Sequence, residues 1–330
     1  MSRKKRLSCL WRLAAILSLV CMLVQQPSAA EQTIRTAASV KLSTMYYSQL
    51  NHREQDAYRV LLRTDLRKRL AFRWNVSVSF QVTEKELENM SWRTKAKPVQ
   101  MLNEEFCRAY YAYCLDYVDD TYWLSDEYDL DYGYRYSYIE EEGKENIVLT
   151  IRYVMVYLRP IYGRALVDDN EVQAAIGNLY TYVKANRRNE SRQETVLAIS
   201  KVMVKNMTFA NPMPDYGSTP ASLVLKKFGK RGNSEAYAKM AFILCKKFSI
   251  PVVYVQSETH NFCYVQMENG IWYGLDVTWA DKGNQLDKKW VLYGTGVVKK
   301  YDLSNKHDAL TSKNGISLCA ISISKKSYPK

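Results

Sequence analysis

Residues 257–281, SETHNFCYVQMENGIWYGLDVTWAD, decide how this 330-residue chain is read. Two alternating runs flank Asn269-Gly270, a pair that marks a β-hairpin, with His260 on the first run and Asp276 on the second. Strand side chains alternate between faces, so the loop length determines whether these two residues meet. A two-residue Asn-Gly turn sets Asp276 opposite Cys263, on the other face from His260. A three-residue loop, Glu268-Asn269-Gly270 with Gly270 left-handed, sets Asp276 opposite Phe262, diagonal to His260 and on its face. The second register is the expectation.

Just upstream, residues 230–251 read KRGNSEAYAKMAFILCKKFSIP. Gly232 permits close backbone approach, Asn233 is a good N-cap, and Tyr237, Ala241, Leu244, Cys245 and Phe248 form an apolar stripe. Lys246 and Lys247 suit the helix C-terminus, and Pro251 lies beyond it. Ser234 therefore belongs to the first helical turn, where open N–H groups and the helix dipole stabilise negative charge. Read alone, this is an ordinary capped helix.

Working outward, Asn51 with Glu54 opens a helix over Tyr58, Leu61, Leu62 and Leu66, followed by a strand from Trp74 to Phe80. A second helix starts near Pro98 and carries Val99, Leu102, Phe106, Tyr110, Tyr113 and Tyr117 on one side. Residues 122–157 form two alternating runs around a polar centre at Glu140–Asn146, which predicts a long hairpin. Its tyrosines fit cross-strand aromatic pairing better than sugar stacking. Asp126, Asp129 and Asp131 lack the spacing of a calcium loop and read as a solvated turn. A further amphipathic helix carries Val172, Ala175, Ile176, Leu179 and Val183, and Ser191 with Glu194 predicts a capping box for a helix ending near Asn206. The expected organisation is a signal segment 1–30, an N-terminal α+β region 31–165, a second domain 166–312 and a basic C-terminal segment 313–330.

Arg3, Lys4, Lys5, Arg6 and Arg12 precede the apolar run Leu13–Val24, and Ser28, Ala29 and Ala30 follow it, the layout of a secretory signal peptide cleaved near Ala30. That run is too short for a spanning helix of ~20 residues, so no transmembrane anchor is expected after cleavage. Removing its five basic residues lowers the formal net charge from +13 to +8. An exported chain of this balance meets proteins, peptides or anionic wall material rather than nucleic acid. Cys107, Cys114, Cys245, Cys263 and Cys319 remain. Cys107 and Cys114, two helical turns and ~10 Å apart, are too distant for a disulfide and read as buried thiols. With no C-x-x-C spacing and three histidines in all, neither a metal site nor another cofactor is expected.

These two stretches together resemble the transglutaminase-like superfamily. GNSEAYAKMAFILCKKFSIP is similar to its nucleophile helix, usually G-x-C, and HNFCYVQMENGIWYGLDVTWAD to its histidine–aspartate hairpin ending in D-x-T-W-x-D. The resemblance extends over roughly residues 166–312, through VMVKNMTFANP and WVLYGTGVVKKYDLSNKHDA. It implies an α+β, papain-like fold in which a helix-borne Cys, a His and an Asp perform acyl transfer. Carried over, His260 takes the base position, Asp276 orients it, and the Ser234 N–H serves an oxyanion. The nucleophile position holds Ser234 in place of Cys, and Phe262 and Cys263 replace the family's Trp and Asn. A thiol beside a histidine can be preformed as thiolate, whereas a hydroxyl must lose its proton in the transition state, and ~1 Å of misplacement costs on the order of a hundredfold. Three readings follow: a secreted pseudoenzyme binding peptide or wall polymer in an inherited cleft, which leads; an active Ser-His-Asp hydrolase or transferase; and a surface protein acting through its tyrosine-rich first region.

Overall fold

The structure is a computed structural model describing residues 45–141, 144–161, 167–257, 259–300, 310–313, 316–319 and 321–329. The signal segment expected over 1–30 lies outside these residues. The first part of the chain forms helix α1 (His52–Arg63), strand β1 (Ala71–Val82), helix α2 (Lys97–Asp116) and the paired strands β2 (Leu124–Glu141) and β3 (Lys144–Pro160). Asn51 caps α1 as expected: its side chain accepts from the N–H groups of Arg53 and Glu54, and Glu54 returns a bond to the Asn51 N–H. Such a reciprocal cap satisfies donors that a helix start would otherwise leave open.

The three strands form an antiparallel sheet in the order β1-β3-β2. Its inner face follows from the alternation: Trp74 pairs with Val154, which pairs with Tyr132, and Phe80 with Leu149, which pairs with Tyr136. Phe72 and Trp74 pack on Phe106 of α2, with ring centroids 6.3 and 6.1 Å apart. Each such fully buried side chain contributes roughly 1.5–3 kcal/mol.

Two expectations for this sheet need correction. Asp126, Asp129 and Asp131 lie within β2, not in a turn, and Asp129 and Asp131 are met by Arg159 and Arg93. The tyrosines of β2 pack chiefly on helical side chains rather than across strands: Tyr128 meets Phe106 at 5.0 Å, and Tyr134 meets Trp92 at 4.9 Å. Helix cover buries more ring surface than a neighbouring strand can. Beyond that cover Tyr138 is 54% exposed.

The second part comprises α3 (Asp169–Asn186), α4 (Arg192–Asn206), α5 (Ser234–Lys247), β4 (Val252–Gln256), β5 (Asn261–Gln266), β6 (Trp272–Leu275), the short α6 (Val277–Ala280) and β7 (Val291–Tyr293). Ser191 accepts from the Glu194 N–H, but the reciprocal half of the expected box is absent, because Asn189 Oδ1 takes the Ser191 N–H. The sheet is antiparallel in the order β4-β5-β6-β7. Cys263 of β5 lies against α5, its Sγ 3.3 Å from the Ala238 carbonyl oxygen. The opposite face, with Val255, Phe262 and Tyr264, is covered by Ile321 and Ile323. The C-terminal residues are held there by bonds from the Ser324 N–H to the Trp272 carbonyl and from the Tyr328 N–H to the Leu292 carbonyl.

Helix α5 and the sheet it covers make this an α+β protein. Residues of both parts belong to one continuous core within the unit Ser43–Lys330. The Tyr46 hydroxyl donates to the Tyr254 carbonyl at 2.7 Å, tying the start of the first part to β4. No described helix is long and apolar enough to cross a membrane.

Candidate active site

The β5–β6 hairpin takes the three-residue register. Cys263 pairs with Leu275 and Tyr264 with Gly274. The Met267 N–H donates to the Ile271 carbonyl, and the Gly270 N–H to the Met267 carbonyl. Gly270 sits at φ 74°, where a Cβ would be strained, so the glycine is what lets the loop close in three residues. Asp276 thereby emerges on the side of Phe262.

His260 and Asp276 meet. His260 Nε2–H donates to Asp276 Oδ2 at 2.6 Å, while Asp276 Oδ1 accepts from the Trp279 N–H at 2.9 Å and caps α6. The Asp276 N–H is itself held by the Trp290 carbonyl. Both side chains are buried, Asp276 completely. Phe262 lies near-parallel to the His260 ring at 6.1 Å, and Trp279 meets it edge-on at 5.7 Å. Aromatic walls fix the imidazole while the carboxylate fixes its tautomer. With Nε2 engaged, a proton from a nucleophile would have to go to Nδ1.

Ser234 opens α5 as expected. Asn233 accepts from the N–H groups of Glu235 and Ala236, and the Tyr237 N–H donates to the Asn233 carbonyl. The Ser234 N–H is left without an acceptor among the described residues, as an oxyanion donor would be. Gly232 is required just before it: a Cβ there would lie 2.8 Å from both Ala236 Cβ and a Leu223 methyl. The Ser234 side chain is half-buried, and its hydroxyl makes no hydrogen bond among the described residues, to His260 or to any other group. The hairpin thus brings His260 and Asp276 together, and the helix leaves the Ser234 N–H open, with no bond from the Ser234 hydroxyl to either of them.

The nearby thiols do not substitute. Burial pushes the Cys245 thiol up to about 12, and burial, with Cys245 and Asp276 nearby, pushes Cys263 well above the usual thiol range. Both therefore stay protonated at neutral pH and lack the thiolate needed for attack. Cys107 and Cys114, expected to be buried, are only half-buried on α2; these four cysteines are free thiols. Among the described residues no cluster of three His, Cys, Asp or Glu side chains is placed to hold a metal ion. A surface cavity of about 440 Å³ beside Arg67, Asp169 and Lys246, and another of about 590 Å³ beside Lys201 and Asn284, are not lined by Ser234, His260 or Asp276.

Sequence reading missed the polar groups around this site. Tyr237 on α5 donates to Asp281 Oδ2 at 3.0 Å, joining α5 to the end of α6. Tyr111 donates to Gln256 Oε1 at 3.1 Å, and Tyr254 to Asn261 Oδ1 at 2.9 Å. One signal was available: Gln256 closes the apolar strand VVYVQ at an inward position, where a polar residue needs a partner.

No family model matches the chain, and no curated protein matches it. Among solved structures, the crystal structure of a TGase is similar at 13% identity and a TM-score of 0.29, over 45% of this chain and 44% of that one. The match therefore spans less than half of either molecule.

Proposed function

We propose that this chain is an exported transglutaminase-like protein with a papain-like second domain over residues 166–312, in which acyl-transfer chemistry has been lost and the cleft binds peptide or wall polymer. The observation that supports this reading is the coexistence of a buried His260–Asp276 pair, 2.6 Å apart, with a Ser234 hydroxyl that makes no hydrogen bond among the described residues. A hydroxyl must be deprotonated as it attacks, so a serine not bonded to its base has little nucleophilic power. The pair itself has a structural role, since Asp276 also caps α6.

A Ser-His-Asp acyl hydrolase is the second reading, favoured by the intact pair and the open Ser234 N–H. One experiment separates the two. In Ser234→Cys, the helix N-terminus and His260 together lower the new thiol's pKa. The variant is expected to alkylate with iodoacetamide at neutral pH at least tenfold faster than Cys245 or Cys263, and His260→Ala to slow it. The wild-type protein should resist a serine-directed fluorophosphonate. Stoichiometric labelling of wild-type Ser234, abolished by His260→Ala, would establish the hydrolase instead.

A further inference from the structure

A cavity of about 590 Å³ opens beside α4, lined by Lys201, Val204, Lys205, Asn284 and Leu286. Its volume lies within the roughly 300–1,000 Å³ that small-molecule sites occupy. Val204 is buried and Leu286 half-buried, while Lys201, Lys205 and Asn284 are exposed around them. The most enclosed part of the lining is apolar, the most exposed part is polar, and none of it is acidic.

Local structure fixes both walls. Lys201 and Lys205 stand four residues apart on α4, so their side chains rise from one helical face. The other wall is the loop after α6, closed by the bridge between Asp281 and Leu286 and by the Asp287 N–H, which donates to the Ala280 carbonyl at 2.8 Å. Within that loop Asn284 takes φ 69°, a left-handed conformation that asparagine tolerates better than most residues.

Charge selects the ligand. Neither lysine has an acidic partner among the described residues, and two like charges at i and i+4 on a helix repel each other. The acids of the loop are engaged elsewhere: Asp281 accepts from the Tyr237 hydroxyl at 3.0 Å and from the Asn284 N–H at 3.4 Å, and Asp287 pairs with Lys289 at 3.0 Å. The Asn284 carboxamide also has no partner among the described residues. Two ammonium groups without a counter-charge and one amide, set around Val204 and Leu286, suit an anionic head group on a small apolar body.

We infer that this cavity binds a small organic anion, its carboxylate or phosphate held by Lys201, Lys205 and Asn284 and its apolar part resting on Val204 and Leu286. The site contains none of Ser234, His260 and Asp276, so it stands or falls independently of the cleft reading. Through Asp281 the same loop also holds Tyr237 of α5.

The test follows the backbone and side-chain amide resonances of Asn284 in the ¹⁵N-labelled protein during titration with phenyl phosphate, benzoate, inorganic phosphate and phenol. Phenyl phosphate or benzoate should shift them along a saturation curve at millimolar concentration, and the tighter of the two identifies the head group. Inorganic phosphate should bind more weakly, and phenol should leave the resonances in place. Lys201→Gln and Lys205→Gln, both at exposed positions, should each weaken the tighter probe roughly fivefold, and added salt should weaken it further. Inorganic phosphate binding as tightly as phenyl phosphate would mean an adventitious ion only and would overturn the site. Saturation by phenol, unchanged affinity in both variants, or static Asn284 resonances with every probe would overturn it equally. If a variant does not fold, the four wild-type titrations decide.

Discussion

Asp276 joins two jobs that a single carboxylate can perform only when buried and fully bonded: it fixes His260 through one oxygen and caps α6 through the other. Asp276→Asn keeps the cap but turns an NH₂ toward His260 Nε2–H, setting donor against donor. A lost hydrogen bond to a charged group costs about 1.5–3 kcal/mol, so the urea midpoint should fall accordingly. In the Ser234→Cys background the same change should slow alkylation at least tenfold, because the imidazole loses its orientation. If stability falls but alkylation does not, Asp276 serves the fold alone. At this scale His260, Asp276 and Ser234 were legible as residue types at recognisable spacings. Gln256 was legible only as an inward polar residue in need of a partner; that the partner is the distant Tyr111 hydroxyl was not.

Among the elements, the β5–β6 hairpin decides whether a site can exist. Its register depends on one backbone angle, φ 74° at Gly270. Gly270→Val places a β-branched residue where L side chains are crowded, at a cost of about 1–2 kcal/mol, whereas Gly270→Asn should lose much less. Equilibrium urea unfolding of the two variants checks this, and equal losses would contradict the argument. The loop was readable in advance because glycine, turn length and strand parity are local. The fate of the aspartates on β2 was not. Asp129 and Asp131 read as a turn by composition, but Arg159 and Arg93 meet them once the strand is in place, and a local window contains neither partner. Tyr128 and Tyr134 of that strand pack inward, although not across strands as expected. Their partners, Phe106 and Trp92, belong to segments that only the packed fold brings over the sheet.

In the whole molecule, the two parts share a core that keeps the Cys245 and Cys263 thiols out of water. In the unfolded chain a thiol ionises near ~8.5, whereas folded Cys245 holds its proton up to about 12. Between those values the unfolded state binds fewer protons than the folded one, so stability falls as pH rises through that window. The contribution approaches about 1.4 kcal/mol per pH unit for one thiol once its unfolded form is ionised. Cys245→Val should remove that part of the slope between pH 9 and 11, measured as the difference from wild type in urea midpoints; identical slopes would mean that the thiol is not sealed. By itself the sequence determined helix starts, strand alternation, hairpin register and the residue types at the site, because each depends on neighbours a few positions away. The tertiary structure alone decided that Ser234 makes no bond to His260 among the described residues, and that Cys245 and Cys263 are too deeply buried to form a thiolate. Those are matters of distance and solvent access between segments far apart in the chain, which no local pattern encodes.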